Sequence, residues 1–234
     1  MKKLLPALIS VLLTGACGVP PELVRQAAEQ NSDVLFYAQT SDSVIALTID
    51  DGPHPTLTPR ILDVLAEHEA RATFFIMGRH VPGNEGLLRR MVAEGHELGN
   101  HMMGGTPSLF LSEDTFERRM HQAHRQLAPF DSVQWFRPAS GMFDETMQRQ
   151  VETYGYRLAL GSIYPNDAQN PFVPYLAGFI LRHAEPGSVI ILHDGAWWRT
   201  RTVHVLRRVL PELRRRGYRV VTLSELAAPS RHAP

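Results

Sequence analysis

The chain has 234 residues, which is enough for one large α/β domain. Its formal net charge is zero and 44% of its residues are hydrophobic, values that are ordinary for a globular protein. Because positive charge is not in excess, nothing favours an electrostatic hold on nucleic acid, and no nucleic-acid partner is expected.

The first 17 residues are typical of a signal peptide with a lipobox-like end. Lys2 and Lys3 precede an apolar stretch, residues 4–13, that is too short to span a membrane as a mature helix. Small residues then lead to Cys17, the only cysteine, which would be lipidated in a bacterial lipoprotein. The alternative is an ordinary secretory signal with an incidental cysteine. Both interpretations predict export to the cell envelope, and the first predicts a membrane-anchored lipoprotein in the periplasm or on the outer membrane.

The mature chain divides into three parts. We expect residues 18–33, which are polar and weakly helical and contain Pro20 and Pro21, to form a tether. Residues 34–228 are predicted to form one folded domain, and residues 229–234 a frayed tail.

From residue 34 onward, apolar runs alternate with segments that have helical spacing. The predicted strands are 34–38, 44–49, 72–77, 97–101, 134–137, 156–162, 188–193 and 219–223. The predicted helices are 57–69, 85–94, 112–127, 144–154, 174–183 and 200–216. The first two strands are expected to pair with each other. Roughly seven strands alternating with helices, without a linker, predict an α/β protein with a single distorted (β/α) barrel.

Polar side chains follow five of the predicted strands. They are Asp50 with Asp51, His101, Arg137, Asp167, and His193 with Asp194. Because a barrel gathers its strand ends on one rim, we expect these side chains to meet there. Adjacent carboxylates predict a bound cation or a perturbed proton, and the whole set suits metal-assisted hydrolysis. Taken singly, three of these residues also have a purely structural interpretation. Asp167 could be a turn residue, His193 could be a core histidine, and Arg137 could be a surface residue.

Five segments resemble, in order, the motifs of the polysaccharide deacetylases of carbohydrate esterase family four. They are residues 48–53, 95–101, 137–141, 164–167 and 192–194. The resemblance extends from about residue 45 to residue 226. In the fourth segment, Ala168 stands where the family usually has tryptophan. The resemblance implies a deacetylase-type (β/α) barrel over residues 34–228.

The resemblance also implies catalytic roles for four side chains. Asp50 would be the general base and His193 the general acid. Arg137 would orient Asp50, and Asp167 would tune the acid histidine.

Further residues would bind the metal and the substrate. By resemblance, Asp51 and His101 would hold a divalent metal ion, with zinc first, and the backbone N–H near Ser140 would help to hold the oxyanion. Trp197 and Trp198 would form a sugar-stacking platform if they are exposed, and would otherwise belong to the core.

The second motif departs from the family pattern. The family's second metal histidine comes about four residues after the first, and this chain has Gly105 there. Water or another side chain, with Thr106 and Ser108 nearest, would have to complete the metal shell. Mutations around a metal ligand often cost about 10- to 100-fold in affinity, so the loss of a ligand itself predicts a weakly held ion.

The expected function is the hydrolytic removal of acetyl groups from a carbohydrate polymer or oligomer. By resemblance, N-acetyl groups are the main expected substrates, and O-acetyl esters are the alternative. The missing ligand keeps open a catalytically weak or inactive glycan-binding protein, and also a different metal hydrolase. The expected partners are an acetylated glycan and, through Cys17, a membrane.

Overall fold

The computed structural model describes residues 18–229. The predicted signal peptide, with Cys17, and residues 230–234 of the predicted tail lie outside the described residues. Eight parallel strands form one sheet in this part of the chain. They are β1 (Val34–Leu35), β2 (Val44–Asp50), β3 (Thr73–Ile76), β4 (Glu97–Asn100), β5 (Trp135–Phe136), β6 (Arg157–Ala159), β7 (Val189–His193) and β8 (Arg219–Val221).

A helix follows each strand from β2 to β8, and one more precedes β1. They are α1 (Pro21–Gln30), α2 (Thr58–Glu67), α3 (Glu85–Ala93), α4 (Glu113–Leu127), α5 (Glu145–Thr153), α6 (Val173–His183), α7 (Arg201–Arg215) and α8 (Leu223–Leu226). This alternation places every strand's carboxyl end on the same rim, from which the connecting loops project. In the described residues, no helix is both long and apolar enough to cross a membrane.

The sheet curls into a distorted barrel. Its strand order is β1-β6-β5-β4-β3-β2-β7, and β8 pairs with the first half of β2. A parallel bridge between Ile163, which follows β6, and Ile190 of β7 joins the two sides. The backbone N–H of Ile191 donates to the carbonyl oxygen of Ile163 at 2.9 Å and reinforces this join. The predicted single distorted barrel of the α/β class is therefore confirmed.

Strand β2 lies at the centre of the fold. All seven of its residues are buried, because helices and barrel interior cover both of its faces. One edge carries β7, and the other carries β8 and then β3. This explains why its sequence is a continuous apolar run that ends in Asp50.

The predicted pairing of the first two strands is wrong. Val34 and Leu35 of β1 pair with Leu158 and Ala159 of β6 instead. Both edges of β2 are already occupied by β7, β8 and β3, so β1 finds its partner at the free edge of β6. The apolar character of residues 34–38 identified a strand but carried no information about its neighbour.

The segment predicted as a tether packs against the domain. Pro21 begins helix α1, a position where its missing N–H costs nothing. Val19, Val24 and Ala27 are buried in one hydrophobic cluster with Phe36. The polar residues that suggested a tether occupy the outer face of this amphipathic helix, so the expectation of a tether over residues 18–33 does not hold for residues 19–30.

Candidate active site

A cavity of about 520 Å³ opens at the carboxyl ends of the strands. Five of the side chains singled out in the sequence line it: Asp50, Asp51, His101, Arg137 and His193. Asp50 and His193 are directly paired in the register of β2 and β7, so the two residues stand side by side on the rim. The structure therefore brings these five side chains together in one cleft.

Arg137 holds Asp50 in place from the end of β5. Its Nη1 donates to Asp50 Oδ1 at 2.6 Å and to Thr48 Oγ1 at 2.8 Å. Its other nitrogens donate to the carbonyl oxygens at and just after the end of β6. The guanidinium is buried and lies 4.0 Å from the ring centroid of Phe75. These contacts fix the position of the Asp50 carboxylate.

His101 faces Asp51 across the cavity floor. The Nδ1 of His101 lies 2.8 Å from the carbonyl oxygen of Arg137, so the Nδ1–H donates and Nε2 is turned toward Asp51. His101 Nε2 and Asp51 Oδ1 are 3.3 Å apart. Although burial lowers the pKa of His101, its contact with Asp51 and the charge of Asp50 raise it overall. For Asp51, burial raises the pKa, but the hydrogen bond and charge of His101 and the charges of His193 and Arg199 outweigh burial and bring the pKa well below its usual range.

The donor set falls short of a complete metal site. Gly105 lines the cavity where a third ligand was expected and brings no side chain. Thr106 and Ser108, the proposed replacements, are absent from the cavity wall within the described residues, and Ser108 is buried elsewhere. No cluster of three or more His, Cys, Asp or Glu side chains in residues 18–229 is arranged to hold a metal ion. Only Asp51 and His101 fit that role.

Arg199 is a cavity residue that the sequence analysis missed. It follows Trp198 in a short helical turn after β7, and its Nη1 donates to Asp51 Oδ2. The same Nη1 donates to the backbone oxygen of Asp194 at 2.9 Å. No local pattern marks this arginine, because its partner is 148 residues earlier in the chain.

Asp167 lies beside His193, where the resemblance placed it. Its Oδ1 is 2.8 Å from His193 Nδ1, and its Oδ2 accepts the backbone N–H of His193 at 2.8 Å. Asp167 is fully buried, and its charge raises the pKa of His193 against the opposing effect of burial. Thr202, which the sequence analysis also missed, donates to the backbone oxygen of His193 at 2.7 Å.

Asp194 is a structural partner, since it is fully buried and lies outside the cavity wall. Its carboxylate accepts from the Thr58 hydroxyl and from the backbone N–H of Gly195. Burial raises the pKa of Asp194 to about 6. Gly195 has a φ of 69°, and a Cβ there would overlap the backbone oxygen of Asp51. The loop after β7 thus packs closely against the two adjacent acids.

Three predicted substrate-binding residues lie at the rim. Ser140 is exposed on the cavity wall and has a φ of 65°. Trp197 and Trp198 are 71% and 53% exposed, so the interpretation of these two as core residues is wrong. Their ring centroids are 5.7 Å apart, with the rings nearly perpendicular. Both tryptophans stand outside the cavity wall itself, on the loop that carries Arg199.

Comparison with known proteins identifies the family. A family model described as polysaccharide deacetylase matches residues 37–159. A peptidoglycan-N-acetylglucosamine deacetylase of Bacillus cereus is 35% identical over 207 residues, which are 87% of this chain and 97% of that protein. A chitooligosaccharide deacetylase of Sinorhizobium fredii is 34% identical over 194 residues, 77% of this chain and 90% of that protein.

Solved structures share the fold. A peptidoglycan N-acetylglucosamine deacetylase has a TM-score of 0.80 and 26% identity, covering 86% of this chain and 95% of that one. A mutant, with restored enzymatic activity, of a pseudoenzyme of carbohydrate esterase family four has a TM-score of 0.76 and 26% identity, covering 82% and 70%. The wild-type pseudoenzyme comes from Bacillus anthracis. The family inferred from the motifs is confirmed, and this chain belongs to the polysaccharide deacetylases, hydrolases that remove acetyl groups from carbohydrates.

Proposed function

We propose that this protein hydrolyses the acetamide of N-acetylglucosamine units in a polymeric or oligomeric glycan. The observation that carries the proposal is the pairing of Asp50 with His193 on the rim, each held by a buried partner. The names of the two curated relatives support the sugar, since one acts on peptidoglycan N-acetylglucosamine and the other on chitooligosaccharide.

Asp50 is the proposed general base. Its carboxylate takes a proton from the water that attacks the acetyl carbonyl carbon. Arg137 keeps that carboxylate oriented through the contact at 2.6 Å. Ser140 lines the cavity, and we propose that a backbone N–H near it stabilises the tetrahedral oxyanion.

His193 is the proposed general acid. With Nδ1 bonded to Asp167, its Nε2–H is the proton available to the sugar nitrogen as the carbon–nitrogen bond breaks. The raised pKa of His193 keeps this proton in place at a higher pH than for an ordinary histidine. Acetate and a free sugar amine are the products.

A divalent ion, zinc by resemblance, belongs to the proposal as a weakly held cofactor. Asp51 and His101 are the two side chains that would hold it. When bound, such an ion supplies Lewis-acid polarisation of a carbonyl oxygen and lowers the pKa of water. The incomplete donor set is the reason to expect low affinity.

Trp197 and Trp198 are proposed to extend the glycan-binding surface beyond the cavity. Their exposed rings offer apolar faces of the kind on which sugars stack. This position favours a substrate of several sugar units over a single sugar.

Acetate release tests the function. The purified mature protein, supplied with zinc or cobalt, should release acetate from chitin oligomers, peptidoglycan or acetylated xylan. Asp50→Asn should reduce the rate by about 10² to 10⁴. Asp33→Asn is the matched control, because Asp33 is exposed just before β1, at the opposite end of the barrel. Absence of acetate with all three substrates would refute the proposal for them.

A glycan-binding protein without turnover is the second candidate. The missing ligand at Gly105 and the structural likeness to a pseudoenzyme favour it. It predicts binding of the same glycans that survives chelation and Asp50→Asn. Turnover of any acetylated glycan would exclude it.

Export and anchoring complete the proposal. We place the mature protein in the cell envelope, with a lipid on Cys17. The proposal rests on the signal-like residues 1–17, and the residues that follow are attached to the domain: Gly18 N–H donates to the hydroxyl of Tyr175 at 3.1 Å and Val19 N–H to the backbone oxygen of Tyr164 at 3.0 Å. A lipid at Cys17 would therefore hold the domain close to the membrane without a long spacer. Mass analysis of the mature N-terminus should give a diacylated or triacylated Cys17, and Cys17→Ser should release the protein from membranes.

A further inference from the structure

Arg199 and His101 engage the two oxygens of the same carboxylate. Nη1 of Arg199 donates to Asp51 Oδ2, and His101 Nε2 lies 3.3 Å from Asp51 Oδ1. The side chains of Arg199 and Asp51 are 16% and 17% exposed, so the ion pair is largely removed from water. A positively charged group therefore already stands where a metal bound to Asp51 would supply positive charge.

The two cavity arginines are held in different ways. Arg137 uses Nε and both Nη atoms and reaches side-chain and backbone acceptors. The hydrogen bonds of Arg199 all pass through Nη1, and its Nε is buried without a partner among the described residues. An unsatisfied buried donor is unfavourable. Arg199 is therefore held mainly by the charge of Asp51 rather than by a set of acceptors that fits its guanidinium.

The cavity wall at Gly105 supplies no side chain that could balance the charge of Asp51 instead of Arg199. Gly105 contributes no ligand, and His101 contacts the other oxygen of the Asp51 carboxylate. A carboxylate as buried as Asp51 needs a cation or a proton close by. The guanidinium supplies this charge within the chain itself.

We propose that Arg199 is the resident cation of this site and competes with a divalent metal for Asp51. A metal ion binds Asp51 and His101 only when the guanidinium leaves Asp51 Oδ2. This inference rests on the proposed function in one respect, which is that Asp51 and His101 are the metal ligands.

Metal titration of the mature protein tests the competition. Calorimetric titration with zinc or cobalt should find Arg199→Gln tighter than wild type by on the order of tenfold. Arg199→Lys keeps the charge and should stay within about threefold of wild type. Arg79→Gln is the matched control, because Arg79 lines the same cavity but is exposed and bonds to His80 rather than Asp51. Equal affinities of wild type and Arg199→Gln, or an equal gain in Arg79→Gln, would overturn the proposal.

Thermal unfolding gives a second readout of the same competition. Without metal, Arg199→Gln should melt below wild type, because Asp51 loses its counter-ion. Added zinc should raise the melting temperature of Arg199→Gln more than that of wild type. A zinc-induced rise no larger than that of wild type would contradict the proposal.

The same comparison can be made in a variant with a third metal ligand, in case Arg199→Gln alone folds poorly. Gly105→His is compared with Gly105→His/Arg199→Gln, and the double variant should bind cobalt more tightly. Equal cobalt affinity of the two would count against Arg199 as a competitor. None of these measurements uses turnover. The competition can therefore be refuted while Asp50-dependent acetate release is observed, and the competition can be observed in a protein that releases no acetate.

Discussion

Each proposed reactive side chain is held by a buried partner that is distant in the sequence. Arg137, 87 residues after Asp50, fixes the base, and Asp167, 26 residues before His193, fixes the acid. Each partner carries the opposite charge and orients the group it holds, and Asp167 also raises the pKa of His193. The proposed base and the proposed acid are thereby held side by side in one cavity.

The charge of Asp167 should control the pH range of the enzyme. Asp167 raises the pKa of His193, so His193 stays protonated as the pH rises, until its folded-state pKa is passed. Asp167→Asn removes this charge, so the alkaline limb of the kcat profile should move to lower pH. Acetate release measured between pH 5 and 10 would detect the shift. An alkaline limb that stays in place would mean that another group donates the proton.

A third metal ligand should fit at residue 105. A Cβ at Gly105 would meet only the terminal carbon of Met77, at 3.3 Å, and that flexible side chain can move. Gly105→His should therefore raise cobalt affinity by about 10-fold or more, measured by calorimetric titration.

Gly104→His is the matched control for this substitution. It places the same imidazole one residue away, beside Arg79 instead of Met77. Equal metal affinity in both variants would contradict the assignment of Asp51 and His101 as the metal site.

The charged residues at the strand ends could be predicted from the sequence, but Arg199 could not. Asp50, Asp51, His101 and His193 stand at the ends of apolar strands, and a barrel brings such ends together. Arg199 reaches Asp51 only through the path of the loop after β7. Nothing in its neighbourhood in the sequence distinguishes it from the many exposed arginines of this chain.

At the scale of elements, the loops at the carboxyl ends of the strands hold unusual backbone conformations. Four non-glycine residues in these loops have positive φ: Asp51, Met102, Ser140 and Asn166. They follow β2, β4, β5 and β6, which are among the strands that surround the cavity. Such conformations are costly and tend to occur where the surrounding structure imposes them, as at active sites. The rigid barrel holds these loops in place around the cavity.

Helix α1 should contribute to stability, unlike a tether. Val24 is 5% exposed, belongs to the cluster around Phe36 and lines the cavity. Val24→Ala removes two buried methyl groups and should lower the free energy of unfolding by about 2 kcal/mol. Urea denaturation provides the measurement. Glu29→Ala, on the exposed face of the same helix, should change it by less than about 0.5 kcal/mol, and equal effects of the two would indicate that α1 detaches in solution.

The elements themselves were more predictable than their arrangement. Apolar periodicity placed α2 and α7 within one or two residues of their observed ends, because each buries one continuous face. The pairing of β1 with β6 depends on which sheet edge is free, a property of the assembled barrel. The polar, weakly helical character of residues 18–33 predicts a tether, whereas Pro21 begins a helix whose apolar face packs against the domain.

At the scale of the whole molecule, the barrel is organised around β2. Its residues are buried and flanked on both edges, by β7 on one and by β8 and β3 on the other. Asp50 and Asp51 continue from its carboxyl end, so the two acids stand on the most enclosed strand of the sheet. The position of the site therefore depends on the closure of the barrel.

Hydrogen exchange should reveal this organisation. The amides of β2 point alternately to its two edges, and a neighbouring strand covers each edge, so their protection should approach that of global unfolding. Strand β1 has two residues and one partner, β6, and its amides should exchange through local opening at a faster rate. Exchange followed by mass spectrometry on peptides covering residues 34–35 and 44–50 measures both. Equal protection of the two would mean that the barrel opens only as one unit, with β1 as firmly held as its centre.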